Sequence, residues 1–211
     1  MNDGVAIIDY GCGNLQSVIN AVEKMGGRAV VVNTPREING HKKIILPGVG
    51  AFKEAAHNLF ATGFANALIE IKNSPDVSIL GICLGMQLMC AESHEDGVHA
   101  GLGWFNAKVL PIKELYTGDI KVPHMGWNEI KHNQTHPLLK GVANGSDVYF
   151  VHSYCVQTDD KSSIIATTQH GVEFVSIIGK DNVVGMQFHP EKSHDVGLTI
   201  INNFVNGDHH A

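Results

Sequence analysis

Apolar runs alternate with segments of helical periodicity along the first half of the chain. Val5-Ala6-Ile7-Ile8 is apolar at every position, the pattern of a strand over 5–9 covered on both faces. Leu15, Val18, Ile19, Val22 and Met25 recur at three- and four-residue intervals, which predicts a helix from about Asn14 to Met25, ended by Gly26-Gly27. Strands over 28–32 and 43–46, helical segments through 51–72, a strand over 77–82 and a helix from Cys83 follow, in βαβ order. Beyond Gly101 the runs shorten, to 104–110, 127–132, 148–156, 163–168, 173–179 and 183–188, with turns at His170-Gly171 and Lys180-Asp181-Asn182. A last helix begins near Ser193. The pattern predicts an α/β fold: a mostly parallel central sheet flanked by helices, with additional antiparallel strands in the second half. Its site belongs at the carboxyl ends of the strands.

Bulk properties narrow the function classes. With 211 residues and no repeat, low-complexity linker or composition shift, residues 1–211 read as a single domain. The formal charge of −6 and the lack of a Lys/Arg cluster argue against a nucleic-acid partner. No apolar run reaches membrane-spanning length, and Met1-Asn2-Asp3-Gly4 lacks the basic start of a signal peptide, so no membrane contact and a cytoplasmic location are expected. The 13 histidines are scattered and the 4 cysteines lack C-x-x-C spacing, so neither a metal nor another cofactor is expected. Cys90 reads as core packing on the same helix face as Cys83. Tyr10-Gly11-Cys12-Gly13-Asn14 follows the first strand, yet Gln16 stands where a dinucleotide fingerprint needs its third glycine.

The chemistry concentrates in two motifs. Gly81-Ile82-Cys83-Leu84-Gly85 sits between strand and helix patterns, as a nucleophile elbow does. There the helix start favours thiolate, and the glycines admit close backbone approach. His189-Pro190-Glu191 follows the last strand pattern. In an extended segment residues two apart share a face, so Glu191 could orient His189 as general base for Cys83. Pro47-Gly48-Val49-Gly50, at the end of another strand, can aim backbone N–H groups outward, and with Leu84 N–H it is a candidate oxyanion hole.

Gly81–Gln87 together with Gln187-Phe188-His189-Pro190-Glu191 resembles the class I (triad) glutamine amidotransferases, and the similarity runs through essentially the whole chain. Asp9–Ser17, Pro47–Gly50, Pro123–Asn128 and Tyr149–Tyr154 resemble, within that family, the glutaminase subunits of imidazole glycerol phosphate synthases. The resemblance implies L-glutamine as substrate, Cys83, His189 and Glu191 as catalytic residues, and no cofactor. It implies that Gly48, Val49, Gly50 and Leu84 surround the amide, and that Gln87, Glu95, Ser153 and Tyr154 hold the amino-acid end. It further implies a heterodimer with a barrel-shaped cyclase subunit, docked on Tyr10, Asn14, Pro123, Met125, Trp127 and Asn128, with Tyr149 and Lys192 lining the ammonia exit. Another class I amidotransferase, a cysteine hydrolase of related fold and a non-catalytic subunit remain alternatives at this point.

Overall fold

A strand that is apolar at every position must be covered twice, and Val5–Ile8 is. Val5 and Ile7 join one buried cluster and Ala6 and Ile8 another, on opposite faces of a sheet. The computed structural model describes residues 2–207. Its first half runs β1 (Asn2–Ile8), α1 (Leu15–Lys24), β2 (Ala29–Val32), β3 (His41–Gly48), α2 (Phe52–Ala61), α3 (Phe64–Lys72), β4 (Ser78–Cys83) and α4 (Leu84–Leu88). Then come β5 (Cys90–Ser93), β6 (His99–Ala100), β7 (Phe105–Pro111), α5 (Ile112–Leu115), β8 (His124–His132), β9 (Ser146–His152), β10 (Tyr154–Gln157), β11 (Ile164–His170), β12 (Val172–Lys180), β13 (Val183–Met186) and α6 (His194–Asn206).

These strands form one mixed sheet in the order β2-β1-β3-β4-β13-β12-β10-β7-β5-β6, with β11 pairing β12 and β8, and β8 pairing β9. The five strands β2 to β13 are mutually parallel, and most of the remaining pairings are antiparallel. Helices α2, α3 and α4 cover one face through Phe52, Leu59, Phe64, Leu68 and Met86; α1 and α6 cover the other through Val18, Val22, Ile200, Ile201 and Phe204. Registers Gly48↔Cys83 and Met186↔Ile82 bring the carboxyl ends of β3, β4 and β13 together. That junction is where ligands gather in open α/β sheets.

Local packing explains the glycines around Cys83. A Cβ on Gly85 would overlap the Leu46 carbonyl, and one on Gly81 would lie 2.8 Å from both Gly85 C and Met86 N. Backbone on both sides leaves nothing to yield, so α4 meets β3 and β4 this closely only with glycine. Gly85→Ala is expected to cost about 3 kcal/mol, read as a lower urea midpoint with an unchanged slope.

Several expectations need correcting. The helix from Cys83 ends at Leu88, because Met89 N turns back to Met86 O at 3.1 Å and β5 starts at Cys90. Cys90 is therefore not on a helix face with Cys83; it is a fully buried strand residue whose Sγ donates to Met86 O at 3.7 Å. The helical segments expected through 51–72 are α2 and α3, which need no correction and meet at Gly63, with φ +83°. The run 148–156 breaks at Ser153, where the chain leaves β8 for β7 and Ser153 O accepts from Ile112 N at 3.0 Å. Strands β5 and β6 lack any alternation to reveal them.

Candidate functional site

Cys83 ends β4 and caps α4 with φ 53° and ψ −108°, a conformation a side-chain-bearing residue adopts only when its surroundings impose it. This sharp turn brings Cys83 to the wall of a cleft of about 300 Å³ that also holds Val49, Gly50, Leu84, Gln87, Glu95, His152, Ser153, Tyr154, His189 and Lys192. A larger depression along His132–Lys140 lies away from every one of these groups and contains no thiol.

His189 reaches the cleft, and Glu191 reaches His189, by a route other than an extended strand. β13 stops at Met186, and Pro190–Lys192 form a 3₁₀ turn with His189 at its N-cap and Pro190 at the first helical position. The turn folds the carboxylate back, so that His189 Nδ1 lies 2.8 Å from Glu191 Oε1, with both side chains almost fully buried. An Nδ1–H donated to Glu191 leaves Nε2 facing the Cys83 sulfur. Neither Nε2 nor Glu191 Oε2 makes a hydrogen bond among the described residues. Burial pulls the imidazole down, but the Cys83 sulfur and the Glu191 carboxylate outweigh it and push His189 up to about 9.

Ser193, fully buried, fixes this turn: its hydroxyl donates to His189 O at 2.6 Å and accepts from Tyr149 N at 2.9 Å. His189 N in turn donates to Tyr149 O at 2.9 Å, so β9 carries the imidazole. Ser193→Ala leaves Tyr149 N without its partner and His189 O with the Lys192 N–H alone. It is expected to cost about 2 kcal/mol in urea denaturation and to lower kcat more than KM for any reaction His189 serves.

Opposite the triad, the 47–50 turn leaves β3 with Val49 exposed and Gly50 at φ +103°. Two bonds hold its flanks: Tyr10 Oη donates to Pro47 O at 2.9 Å, and Phe52 N, the first residue of α2, donates to Glu95 Oε2 at 2.6 Å. Glu95 thus joins the cleft to the far end of this turn. Gln87 is buried, and its Nε2 donates to Tyr154 O at 3.3 Å and to Gln187 Oε1 at 3.1 Å.

Asn14, Pro123, Met125 and Trp127 are exposed, the last two at 60% and 47%. Trp127 stands across from Tyr149 in the β8–β9 register, and its ring stacks on His194 at 4.8 Å. Lys192 Nζ lies 6.0 Å from the centre of the Tyr149 ring. Tyr10 departs from the expected docking set. Its ring is buried and its hydroxyl braces Pro47, so its side chain offers no surface to a partner. Asn128 is half-buried and also turned inward, donating to Gln169 O at 3.0 Å and lying 3.1 Å from His124 Nε2. His124 Nδ1 lies 2.9 Å from His152 Nε2. Burial, with neighbouring imidazoles adding to it, pushes these two down to about 4 and about 3, so both are neutral at pH 7.

Gln187 and Ser193 had no assigned role in the sequence. Gln187 could have been found by its period-2 spacing, since it lies two residues before His189, whereas nothing local signals the Ser193 bonds. Among the described residues, no group of three or more His, Cys, Asp or Glu side chains is placed to hold a metal ion.

A family model for glutamine amidotransferase class-I matches residues 6–207. An imidazole glycerol phosphate synthase subunit HisH of Geobacillus sp. (strain WCH70) is 46% identical over 204 residues, covering 95% of each chain. The subunits of that name from Geobacter sulfurreducens and Archaeoglobus fulgidus are 46% and 45% identical, over 95% and 96% of this chain and 97% and 98% of theirs. In fold the chain is similar to PurLQS from Thermotoga maritima (TM-score 0.75, 16% identity, 98% of this chain and 99% of that one). A putative GMP synthase protein from Thermoplasma acidophilum gives a TM-score of 0.72 at 18% identity, over 96% of this chain and 92% of that one.

Proposed function

The chain belongs to the class I glutamine amidotransferases, and from that premise we propose that it is the glutaminase subunit of an imidazole glycerol phosphate synthase, acting in histidine biosynthesis. Identities near 45% over nearly the whole chain to subunits of that one enzyme favour this acceptor over other amidotransferase partners. The observation that carries the chemistry is that His189 shares one cleft with Cys83 while its Nδ1 lies 2.8 Å from the Glu191 carboxylate behind it.

The mechanism follows from that arrangement. Cys83 thiolate attacks the side-chain amide carbon of L-glutamine, and the oxyanion is held by backbone N–H groups at Val49, Gly50 and Leu84. His189, protonated as its position between two anions dictates, gives its Nε2 proton to the departing ammonia and leaves a glutamyl thioester on Cys83. The neutral imidazole then takes a proton from water, whose oxygen attacks the thioester; glutamate leaves and the thiolate returns. Glu191 keeps Nδ1 protonated throughout. Gln87, Glu95 and the backbone at Ser153 and Tyr154 hold the amino-acid end, with the Glu95 carboxylate against the α-ammonium.

Ammonia released to solvent would be lost as ammonium, so the product is delivered to a cyclase subunit. That partner is a barrel-shaped protein docked over the exposed Pro123, Met125, Trp127 and Asn14, with ammonia leaving past Tyr149 and Lys192. There it completes the conversion of an N-linked phosphoribulosyl formimino carboxamide ribonucleotide into imidazole glycerol phosphate and an aminoimidazole carboxamide ribonucleotide. Residues 1–211 act as one amidotransferase unit in the cytoplasm. No helix among the described residues is long and apolar enough to cross a membrane. Docking sets the 47–50 turn, whose exposed Val49 borders the cleft, in the conformation that completes the oxyanion site.

Glutamate release from L-glutamine, by the chain alone and mixed with such a cyclase and its nucleotide ligand, tests this. Turnover is expected to rise strongly only in the complete mixture. Equal turnover with and without the cyclase would reassign the chain to another amidotransferase partner.

A further inference from the structure

Gln187 has no place in the steps above, yet it is fully buried against the reacting sulfur. Its Nε2 lies 3.7 Å from Cys83 Sγ, and its Oε1 accepts from Gln87 Nε2 at 3.1 Å. Which end of a glutamine amide faces a neighbour is set by the partners around it. Here the order is fixed from the far end. Tyr154 O is a carbonyl and only accepts, so the Gln87 group beside it must be its NH₂. That NH₂ also faces Gln187, which must answer with its oxygen, and the Gln187 NH₂ is left pointing at Cys83. The backbone of β10 thereby dictates that the sulfur meets an N–H donor rather than a carbonyl oxygen. Reversing the amide would put two acceptors or two donors together at a buried contact.

We propose that Gln187 is a further member of the catalytic machinery: its side-chain amide donates to the Cys83 thiolate, stabilising it and holding the sulfur between His189 and the glutamine amide. The inference rests on Cys83 as the nucleophile. A donor to an anionic sulfur is charge-assisted, whereas the thioester sulfur is neutral. The contact therefore strengthens whenever the thiolate is free, before attack and again as it is expelled on deacylation. Gln187 also ties the nucleophile to Gln87, so movement of the substrate-holding amide is felt at the sulfur.

The test is the rate of Cys83 alkylation by iodoacetamide at pH 7, followed by mass mapping of each cysteine peptide in the full chain without glutamine or partner. Gln187→Met keeps the volume and loses the donor; it is expected to alkylate Cys83 about tenfold more slowly. Gln187→Glu keeps an acceptor for Gln87 but turns an oxygen toward the sulfur, and should be at least as slow. Mere loosening of the fold would do the opposite, speeding alkylation of Cys83 together with the buried Cys90 and Cys155. Rates for both variants within twofold of the unsubstituted chain, or faster, would overturn the proposal. Failure of the amidotransferase reading would appear separately, as absence of glutamine turnover in the unsubstituted protein with its cyclase.

Discussion

Replacing Cys83 by alanine is expected to reduce glutamine hydrolysis by roughly 10⁶-fold, to background, while the cyclase partner continues to make product from free ammonia at the unsubstituted rate. No other sulfur can take over. Cys90 and Cys155 are fully buried, and burial pushes both thiols up, Cys155 to about 12. The half-buried Cys12 is also pushed up by burial, against a lowering contact from Asn58, and it has no imidazole beside it. Removing one buried sulfur leaves the proposed docking residues Asn14, Pro123, Met125 and Trp127, all exposed, untouched, which is why the ammonia-dependent reaction should survive. Parallel assays with glutamine and with ammonium chloride separate the two. Loss of both activities would give Cys83 a structural role instead.

Glu191→Gln should be the next most damaging change, lowering kcat by about 10⁴-fold with a smaller effect on KM. The amide can turn an N–H toward Nδ1, placing the imidazole proton on the wrong nitrogen for the sulfur. The substitution also removes one of the two anionic neighbours that hold His189 up near 9 against the pull of burial. The alkaline limb of the kcat/KM profile should therefore move to lower pH. Stability follows the same linkage. A histidine whose folded value exceeds its unfolded value of about 6.5 contributes stability that is complete below about pH 6.5 and is lost as pH rises through about 9. Urea midpoints at pH 6, 7.5 and 9 should fall across that window in the unsubstituted chain, and fall less in Glu191→Gln.

The parallel half of the fold was legible because each strand is an unbroken apolar run covered on both faces, as Val5–Ile8, Ile44–Leu46 and Ile79–Ile82 are. Strands β5 and β6 were not, because Cys90–Ser93 and His99–Ala100 are held by pairing with β7 and with each other rather than by any alternation of their own. At the site, Cys83 was visible because the close approach of α4 to β3, at Gly85, and to β4, at Gly81, demands glycines that mark the sequence on both sides. His189 and Glu191 were paired for a reason the structure replaces: a 3₁₀ turn begun by Pro190, not an extended strand, brings imidazole and carboxylate together. Tyr10 was assigned to the surface by resemblance, and only tertiary packing shows its hydroxyl spent on Pro47. Ser193 and Gln187 bond residues far away in sequence, Tyr149 and Gln87; the period-2 spacing from His189 marks the Gln187 position but not its partner, and nothing local marks Ser193.

Transfer of the glutamine nitrogen probes the proposed coupling without relying on any substitution. L-glutamine labelled with ¹⁵N in its side-chain amide is given to the complex of this chain with its cyclase and nucleotide substrate, in excess unlabelled ammonium. Product enriched in ¹⁵N well above the isotopic composition of the bulk ammonium is expected, because ammonia formed at Cys83 passes to the cyclase without mixing with solvent. Product nitrogen at the bulk composition, with glutamate still released, would refute delivery from Cys83 to the cyclase.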